Sequence, residues 1–308
     1  MPTPFPIDPV QTGIAIAYRN TRLIADEVAP RVPVGKEAFK YNVYDLGQNF
    51  TIPDTKVGRK SKPNEASFSA KEETASTEDF GLDDPIPNSD IENAPDNHDP
   101  ISQSTEGLTD LILLDREVRV ANMVTDASNY ATGYKTTLTG ADRFSDFTNS
   151  DPVGAISDAL DSMIMRANQM TLSRLVFSKL SRHPAIVKSY HGTSGDKGIV
   201  PAQFIADLFG LDRVLVGEAF VNTSKKGQTP TMARAWGKSI ALQYIDPLAN
   251  TRNRVTHMIT AEFGNRISGY EYDRNIGTRG GQMNRVAESV KELVVADRGG
   301  YLIENAVA

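Results

Sequence analysis

The chain has 308 residues, a net charge of −6 at pH 7 and no cysteine. This length allows one large domain or two modest ones. The lack of cysteine excludes disulfides, thiolate metal sites and cysteine nucleophiles, and the negative charge argues against a surface coated in nucleic-acid contacts. No apolar run approaches the roughly 20 residues that span a bilayer, and the N-terminus MPTPFPIDPV lacks the features of a signal peptide.

The first third of the chain is rich in proline. Twelve of the 17 prolines lie within residues 1–100, and proline blocks both helices and central strands. About two helical turns are expected over 21–28, ended by Pro30 and Pro33. We therefore expect this third to lack a core of its own, and to be either a disordered tail or an ordered arm that packs on another molecule.

A polar ribbon is predicted after this segment. FKYNVYDL (39–46) has the alternation of a strand, and residues 47–80 have the pattern of a long two-stranded excursion. Its tip would carry four basic residues, Lys56, Arg59, Lys60 and Lys62. Because an isolated two-stranded ribbon is only marginally stable in water, this one is expected to lie on a neighbour.

Residues 74–100 carry eight acidic side chains and no lysine or arginine. The turn-forming residues among them favour a solvated acidic linker. A metal site is disfavoured here, because the spacing lacks the alternating pattern of a calcium loop.

The longest predicted helix begins near Ser102 or Ser104, which are candidate N-caps, and ends near Asn129. At 1.5 Å per residue it would be about 40 Å long. Its predicted core stripe, from apolar residues at helical spacing, comprises Leu111, Leu114, Val118 and Ala121, broadened by Leu113, Val120 and Val124.

The second half of the chain mixes helices and strands. Asp151-Pro152 opens a predicted helix, QMTLS (169–173) is strand-like, and RLVFSKL (174–180) and PAQFIADLF (201–209) are helix-like. Further strands are predicted at RVLVGEAFVN, KSIALQYID and RVTHMITAEF. Since the helices and strands follow no regular βαβ spacing, the predicted fold class is α+β.

Motifs for catalysis and cofactor binding are absent from the sequence. The four histidines form no HExxH or HxH pair, the glycine clusters at 192–198 and 277–281 match no phosphate-binding loop, and no G-x-S-x-G elbow occurs. We therefore predict no catalytic residue, no metal site and no cofactor, and favour a structural or binding protein over an enzyme.

Four blocks of sequence share the order and spacing of one known family. They are LIADEVAPRVPVGKEAFKY (23–41), TLSRLVFSKLSRHPAIVKSY (171–190), PAQFIADLFGLDRVLVGEAFVNTS (201–224) and LVVADRGGYLIENAV (293–307). Together they resemble the major capsid proteins of tailed bacteriophages, which have the Hong Kong 97 fold.

The resemblance implies an α+β Hong Kong 97-like fold in five parts. These are an N-terminal arm (1–35), an extended loop (36–84), a peripheral domain with a long spine helix (85–144), an axial domain (145–255) and a return to the peripheral domain (256–308).

The resemblance also implies a virion protein that forms pentamers and hexamers of an icosahedral shell. Such a shell is assembled in the host bacterial cytoplasm and encloses double-stranded DNA without sequence-specific binding or contact with a membrane. Decoration proteins, a portal and a scaffolding protein are candidate partners, and the initiating Met1 favours scaffolding by a separate chain.

A contact between neighbouring subunits is predicted from charge. The basic tip, Lys56, Arg59, Lys60 and Lys62, would face the acids Asp83, Asp84, Asp90 and Glu92 of the next copy. Three alternatives to a phage capsid are left open: an encapsulin-type nanocompartment with protein cargo, a tail-tube or other virion protein, and a soluble α+β enzyme or binding protein with a disordered N-terminal third.

Overall fold

The computed structural model describes residues 5–43, 52, 54–63, 71–192, 195–225 and 227–308. Several helices in these ranges open on a proline, which tolerates the first helical position because its missing N–H would have no partner there. The α-helices of the described residues are α1 (Pro9–Ala17), α2 (Ala25–Val28), α3 (Asn88–Glu92), α4 (Pro100–Thr125), α5 (Pro152–Ser162), α6 (Arg174–Leu180), α7 (Pro184–His191) and α8 (Ala202–Phe209).

The strands of the described residues form two five-stranded sheets and two short ribbons. They are β1 (Arg31–Val34), β2 (Ala38–Val43), β3 (Lys71–Ser76), β4 (Glu78–Pro87), β5 (Lys135–Thr137), β6 (Gln169–Ser173), β7 (Arg213–Gly217), β8 (Phe220–Asn222), β9 (Met232–Arg234), β10 (Ile240–Gln243), β11 (Met258–Phe263), β12 (Ile267–Asp273), β13 (Gly281–Val294) and β14 (Gly300–Glu304). This mixture of helices and strands confirms the predicted α+β class.

The first sheet is built around β13. Strands β11 and β12 pair with successive parts of one side of β13, and β4 pairs with the other side from Gly281↔Pro87 to Val290↔Glu78. Strand β1 then adds to β11 in parallel. Helix α4 packs against strands β13 and β4 of this sheet, so the helix and the sheet form two adjacent layers.

The second sheet has the order β5-β14-β10-β6-β7. Helices α5 to α8 cover it and form the largest hydrophobic cluster, in which Ile156, Met170, Leu180 and Ile205 are inaccessible to solvent. Strand β14 is near the end of the chain, so the last residues are part of this core.

The first third of the chain packs on its own subunit, which corrects the expectation that it lacks a core. Helix α1 lies against α4 and β12, where the Asp8 N–H donates to the Ser268 carbonyl at 3.0 Å. Ala15 and Val28 have no exposed surface. Among the described prolines of this third, Pro9 and Pro100 begin helices, and Pro33, Pro85 and Pro87 lie within strands β1 and β4.

The acidic linker predicted for residues 74–100 is also wrong. Residues 78–87 form β4, and residues 88–92 form α3. Proline is tolerated in β4 because this strand lies at the edge of its sheet. A backbone N–H on the open side of an edge strand has no partner strand, so its absence costs no hydrogen bond.

The predicted long helix is present, and Leu113, Val120, Ala121 and Val124 of its predicted core stripe are buried. Its start and the rest of its buried face differ from the prediction. Asp99 caps the helix and Pro100 is its first residue, in place of Ser102 or Ser104. Leu111 is 54% exposed. The buried face runs through Leu108, Ile112, Arg116, Glu117 and Val120, because two charged side chains find partners inside the protein.

The predicted ribbon is confirmed only in its returning half, which contains β3, and in the strand expected at 39–46. In its outgoing half, residues 52 and 54–63 form no strand. Strands β2 and β3 pair antiparallel from Ala38↔Ser76 to Val43↔Lys71. Residues 44–51, 53 and 64–70, which the sequence places farther along the ribbon, lie outside the described residues.

Candidate assembly surfaces

One buried carboxylate joins three distant parts of the chain. Glu117 of α4 accepts hydrogen bonds at Oε2 from the N–H groups of Ile24 and Ala25, at 2.9 and 2.7 Å. Its Oε1 accepts a hydrogen bond from the indole N–H of Trp236 at 2.6 Å. Burial raises the pKa of Glu117 despite these donors. The N-terminal arm, the long helix and the segment before β10 are therefore fixed relative to one another.

A buried ionic cluster holds the arm a few residues farther on. Arg116 is 1% exposed and donates to a carboxylate oxygen of Asp26 at 2.5 Å, to the Ala29 carbonyl at 3.1 Å and to the Thr260 hydroxyl at 3.0 Å. Arg31 also donates to Asp26, at 2.9 Å. Burial opposes ionisation of Asp26, but the two guanidinium groups outweigh it and lower the pKa of Asp26.

The same cluster reaches the central strand β13 through Glu288. Its side chain is inaccessible and lies 3.1 Å from Arg31 and 3.0 Å from Arg266. Burial opposes the charge of Glu288, and the nearby arginines lower the pKa of Glu288 below its ordinary value. Since unpairing a buried charge is costly, this cluster makes the arm an integral part of the subunit.

The basic tip is an exposed turn. Residues Lys56, Arg59, Lys60 and Lys62 are all exposed, and the turn is closed by the Ser61 N–H donating to the Gly58 carbonyl at 2.9 Å. Within the part of the chain that the structure describes, none of the four cations forms a salt bridge. Their charge is therefore available to another molecule.

The four acids predicted to meet this tip lie along β4 and α3, and three of them have partners within the chain: Asp83, Asp84 and Asp90, the last of which accepts a hydrogen bond from the Ser89 hydroxyl at 3.2 Å. Asp83 receives two hydrogen bonds of 2.6 Å from Arg285, and that pairing lowers the pKa of Asp83. Asp84 accepts a hydrogen bond from the Ser104 hydroxyl at 2.6 Å. Asp90 and Glu92 are exposed on α3.

Sequence reasoning did not find Glu117 or the ionic cluster around Arg116. A signal was available: Arg116-Glu117 interrupts the apolar face of a long helix, and such a pair needs buried partners if the face is buried. The partners themselves could not be named, because they lie about 90 or more residues away along the chain.

The described residues contain no helix long and apolar enough to cross a membrane. They also contain no cluster of three or more His, Asp or Glu side chains arranged to hold a metal ion.

Comparison with known proteins identifies the family. No family model matches the chain. The major capsid protein of Pseudomonas phage JBD67 is 56% identical over 305 residues, which cover 99% of this chain and 98% of that protein. The chain belongs to the family of phage major capsid proteins. The capsid protein of Burkholderia phage BcepMu is 29% identical over 251 residues, covering 78% of this chain and 76% of that protein.

Solved structures agree on the capsid fold. A phage-related protein from Bordetella bronchiseptica superposes with a TM-score of 0.76 at 21% identity over 98% of both chains. The capsid of cyanophage P-SCSP1u gives a TM-score of 0.61 at 10% identity, covering 94% of this chain and 89% of that one. Identities this low show the fold alone, and the predicted Hong Kong 97-like fold is confirmed.

The function of the chain is that of a major capsid protein, a structural subunit of the phage shell and a component of the virion. The fold by itself does not distinguish a phage shell from a nanocompartment. Both relatives, one of them matched over its full length, are phage major capsid proteins, and they decide against the nanocompartment and tail-tube alternatives.

Proposed function

We propose that this capsid protein assembles as pentamers and hexamers that close into an icosahedral shell around double-stranded DNA. The observation that carries the proposal is the 56% identity to a phage major capsid protein over 99% of the chain. The role is structural, without enzymatic activity. Assembly takes place in the host bacterial cytoplasm, with a separate scaffolding protein, decoration proteins and a portal as the partners of the shell.

The charge of the chain supports enclosure of DNA without tight binding. The net charge is −6, and high affinity for phosphate would need many basic contacts on one face. Particles purified from expressing cells should therefore protect DNA from nuclease only when they are closed, and should release it without sequence preference when they are opened.

The division into arm, extended loop, peripheral domain, axial domain and returning segment is part of the same proposal. Two strands bear on its boundaries. The boundary proposed after residue 84 falls inside β4, which pairs with β13 of the first sheet along its whole length. Strand β14, near the end of the chain, pairs with β10 in the second sheet. A boundary after β4, and a chain end assigned to the axial side, fit these pairings better than the limits expected from the resemblance.

We also propose that the basic tip of one subunit binds acidic residues of its neighbour. Supporting this, the tip is exposed and forms no salt bridge with the described residues of its own chain. Asp90 and Glu92 are the stronger candidates for the acidic side, because both are exposed, whereas Asp83 is ion-paired with Arg285 and Asp84 is half-buried against Ser104. Surface ion pairs are individually weak, but a shell repeats the same contact in every subunit.

Charge reversal of the tip tests this contact. Replacing Lys56, Arg59, Lys60 and Lys62 together with glutamate should leave a folded subunit by circular dichroism that forms no shells by electron microscopy. The matched control reverses four exposed cations elsewhere, Lys188→Glu, Lys197→Glu, Lys225→Glu and Arg279→Glu, and should assemble normally. Normal particles from the tip variant would refute the contact while leaving the capsid role intact.

The acidic side is tested separately. Asp90→Lys with Glu92→Lys should block assembly, whereas Asp158→Lys, an exposed acid on α5, should not. Combining the Asp90 and Glu92 reversals with the tip reversal should restore particles, since opposite charges would again face each other.

A further inference from the structure

Strand β4 has one open side. It pairs with β13, and no strand of the described residues pairs with its other side. The direction of its backbone groups follows from Ser268 of β12, whose N–H and C=O both bond to the N-terminal arm and so point away from β13. Val286, which faces Ser268 on β13, therefore directs its own N–H and C=O to Leu82 of β4, because these directions alternate along a strand.

The odd-numbered residues of β4 consequently turn their backbone groups to the open side. Two of them, Pro85 and Pro87, have no N–H to present there. Within the part of the chain that the structure describes, three residues leave both N–H and C=O unbonded on that side: Asp79, Gly81 and Asp83. An edge of this kind accepts an added strand through main-chain hydrogen bonds. The ligand of this surface is therefore an extended backbone.

One face of the open edge exposes an apolar side chain. The even-numbered side chains of β4 lie toward α4, and the Arg119 guanidinium of that helix is 3.7 Å from the centre of the Phe80 ring. Leu82 is two residues farther along this face and is 40% exposed. Because side chains directly opposite one another in neighbouring strands pack together, a strand that fits would place an apolar residue beside Leu82.

The opposite face offers space and a carboxylate without an internal partner. Gly81 has no side chain and lies between Asp79 and Asp83 along this face. Asp83 is ion-paired with Arg285, whereas the exposed carboxylate of Asp79 forms no hydrogen bond or salt bridge with a described residue. A strand that fits would therefore place a lysine or arginine beside Gly81, next in sequence to the apolar residue.

The segment Thr55-Lys56-Val57 has this pattern. Its three residues form no helix or strand in their own subunit and are exposed, Val57 by 45%. When Val57 is placed beside Leu82 with the strands parallel, Lys56 falls beside Gly81. Hydrogen bonding agrees with this register. The Lys56 N–H already donates to a carboxylate two residues earlier at 2.9 Å, and a parallel strand here would use the backbone groups of the residues on either side of Lys56, which bond to no described residue.

We propose that residues 55–57 of one subunit add as a parallel strand to the open edge of β4 in a neighbouring subunit. The inference rests on the tip contact proposed above and extends it, since α3, which carries Asp90 and Glu92, directly follows β4. In this register residues 59–62 continue past the prolines of β4, which end the pairing, toward α3. The added strand and the basic tip are then two parts of one contact between subunits.

Proline at position 81 tests the strand pairing. Gly81→Pro removes the central N–H of the open edge, and Gly81→Ala, the matched control, adds the same Cβ but keeps that N–H. Pro85 and Pro87 show that β4 accepts proline at outward positions, so both variants should give folded subunits by circular dichroism.

The yield of sedimenting particles, from cells that also express the scaffolding protein, is the readout. Gly81→Pro should lower this yield at least about tenfold relative to Gly81→Ala, because every contact in the shell loses a hydrogen bond. Equal yields would overturn the strand pairing, even where charge reversal of the tip blocks assembly and the tip contact itself stands.

A disulfide between two chains identifies the occupant without any proline. Because the protein has no cysteine, Val57→Cys in one chain and Leu82→Cys in a second, tagged chain introduce one thiol each. Neighbouring strands lie about 5 Å apart, a separation that a disulfide bridges, so oxidised particles containing both chains should yield the mixed dimer.

Val10→Cys, at a residue of α1 that is 69% exposed, replaces Val57→Cys in the control and should yield no mixed dimer with Leu82→Cys. Absence of the mixed dimer between the Val57→Cys and Leu82→Cys chains would overturn the proposal. If Gly81→Pro still blocked assembly in that case, the open edge would hold a strand from another source, and the assignment of residues 55–57 would be wrong.

Discussion

Replacing Glu117 with glutamine tests whether one buried carboxylate holds the N-terminal arm. Both of its oxygens accept hydrogen bonds, from the N–H groups of Ile24 and Ala25 and from the indole of Trp236. A glutamine offers one oxygen and one NH2 group, so in either orientation a donor faces a donor.

The cost of this change follows from the hydrogen bonds that are lost. A hydrogen bond to a charged acceptor contributes about 1.5–3 kcal/mol, and a buried donor left unsatisfied costs about 1–3 kcal/mol. Removing the charge also relieves the desolvation that raises the pKa of Glu117, and this relief offsets part of the loss. We expect the free energy of unfolding to fall by about 2 kcal/mol.

Urea unfolding of the unassembled subunit measures this difference. Circular dichroism follows the whole fold, and the fluorescence of Trp236, the only tryptophan of the chain, follows the site itself. Glu106→Gln is the control, because Glu106 is exposed on the same helix and its change should stay within about 0.5 kcal/mol. If Glu117→Gln were no more destabilising than this control, the carboxylate would not hold the arm.

Three further substitutions test other parts of the subunit. Gly217→Ala would place a methyl group against the Trp236 ring, closer than van der Waals contact allows, and should lower stability in thermal unfolding by about 1–3 kcal/mol; Gly237→Ala, whose added methyl meets nothing within 4 Å, should unfold like the native protein. Burial lowers the pKa of His257 from 6.5 to about 4. Because the unfolded chain therefore takes up the proton first, the free energy of unfolding should fall by about 3 kcal/mol as the pH falls from 6.5 to 4. His257→Gln should flatten that part of the urea-unfolding pH profile, and an unchanged slope would mean that another group titrates there. Asp26→Asn removes the charge that pairs with a buried arginine and should cost about 2 kcal/mol in urea unfolding, whereas a change within about 0.5 kcal/mol would contradict the role of the ionic cluster.

The sequence correctly predicted those helices and strands that are determined by residues close to them in the chain. Asp151-Pro152 predicted the start of α5, and its aspartate accepts the Gly154 N–H at 3.0 Å as an N-cap does. The QMTLS segment is β6, buried at every position. In both cases the residues that determine the element lie within the element or beside it.

Elements fixed by distant partners could not be predicted in this way. Strand β4 is rich in acids and contains Pro85 and Pro87, so its composition favours a linker, but pairing with β13 about 200 residues later makes it a strand. Helix α4 shows the same limit, since its apolar pattern pointed to Leu111 as core. Arg116 and Glu117 instead enter the interior, where ion pairing and hydrogen bonding satisfy them.

The sequence was enough to predict which charged segments could form the contact between subunits, but not which of their side chains are already paired within the subunit. The sequence located the basic tip around Lys60 and the acidic segment, and the structure confirms that the tip is exposed. It could not show that Asp83 is bound by Arg285.

The central claim is that this chain builds a closed phage shell, and electron microscopy of the chain expressed together with its scaffolding protein tests it most directly. The account predicts closed icosahedral particles in which five- and six-fold clusters of subunits are resolved, with subunits of the Hong Kong 97-like fold. A chain that stays at its monomer mass of 33.6 kDa in the presence of its scaffolding partner, or that forms open tubes, would contradict it.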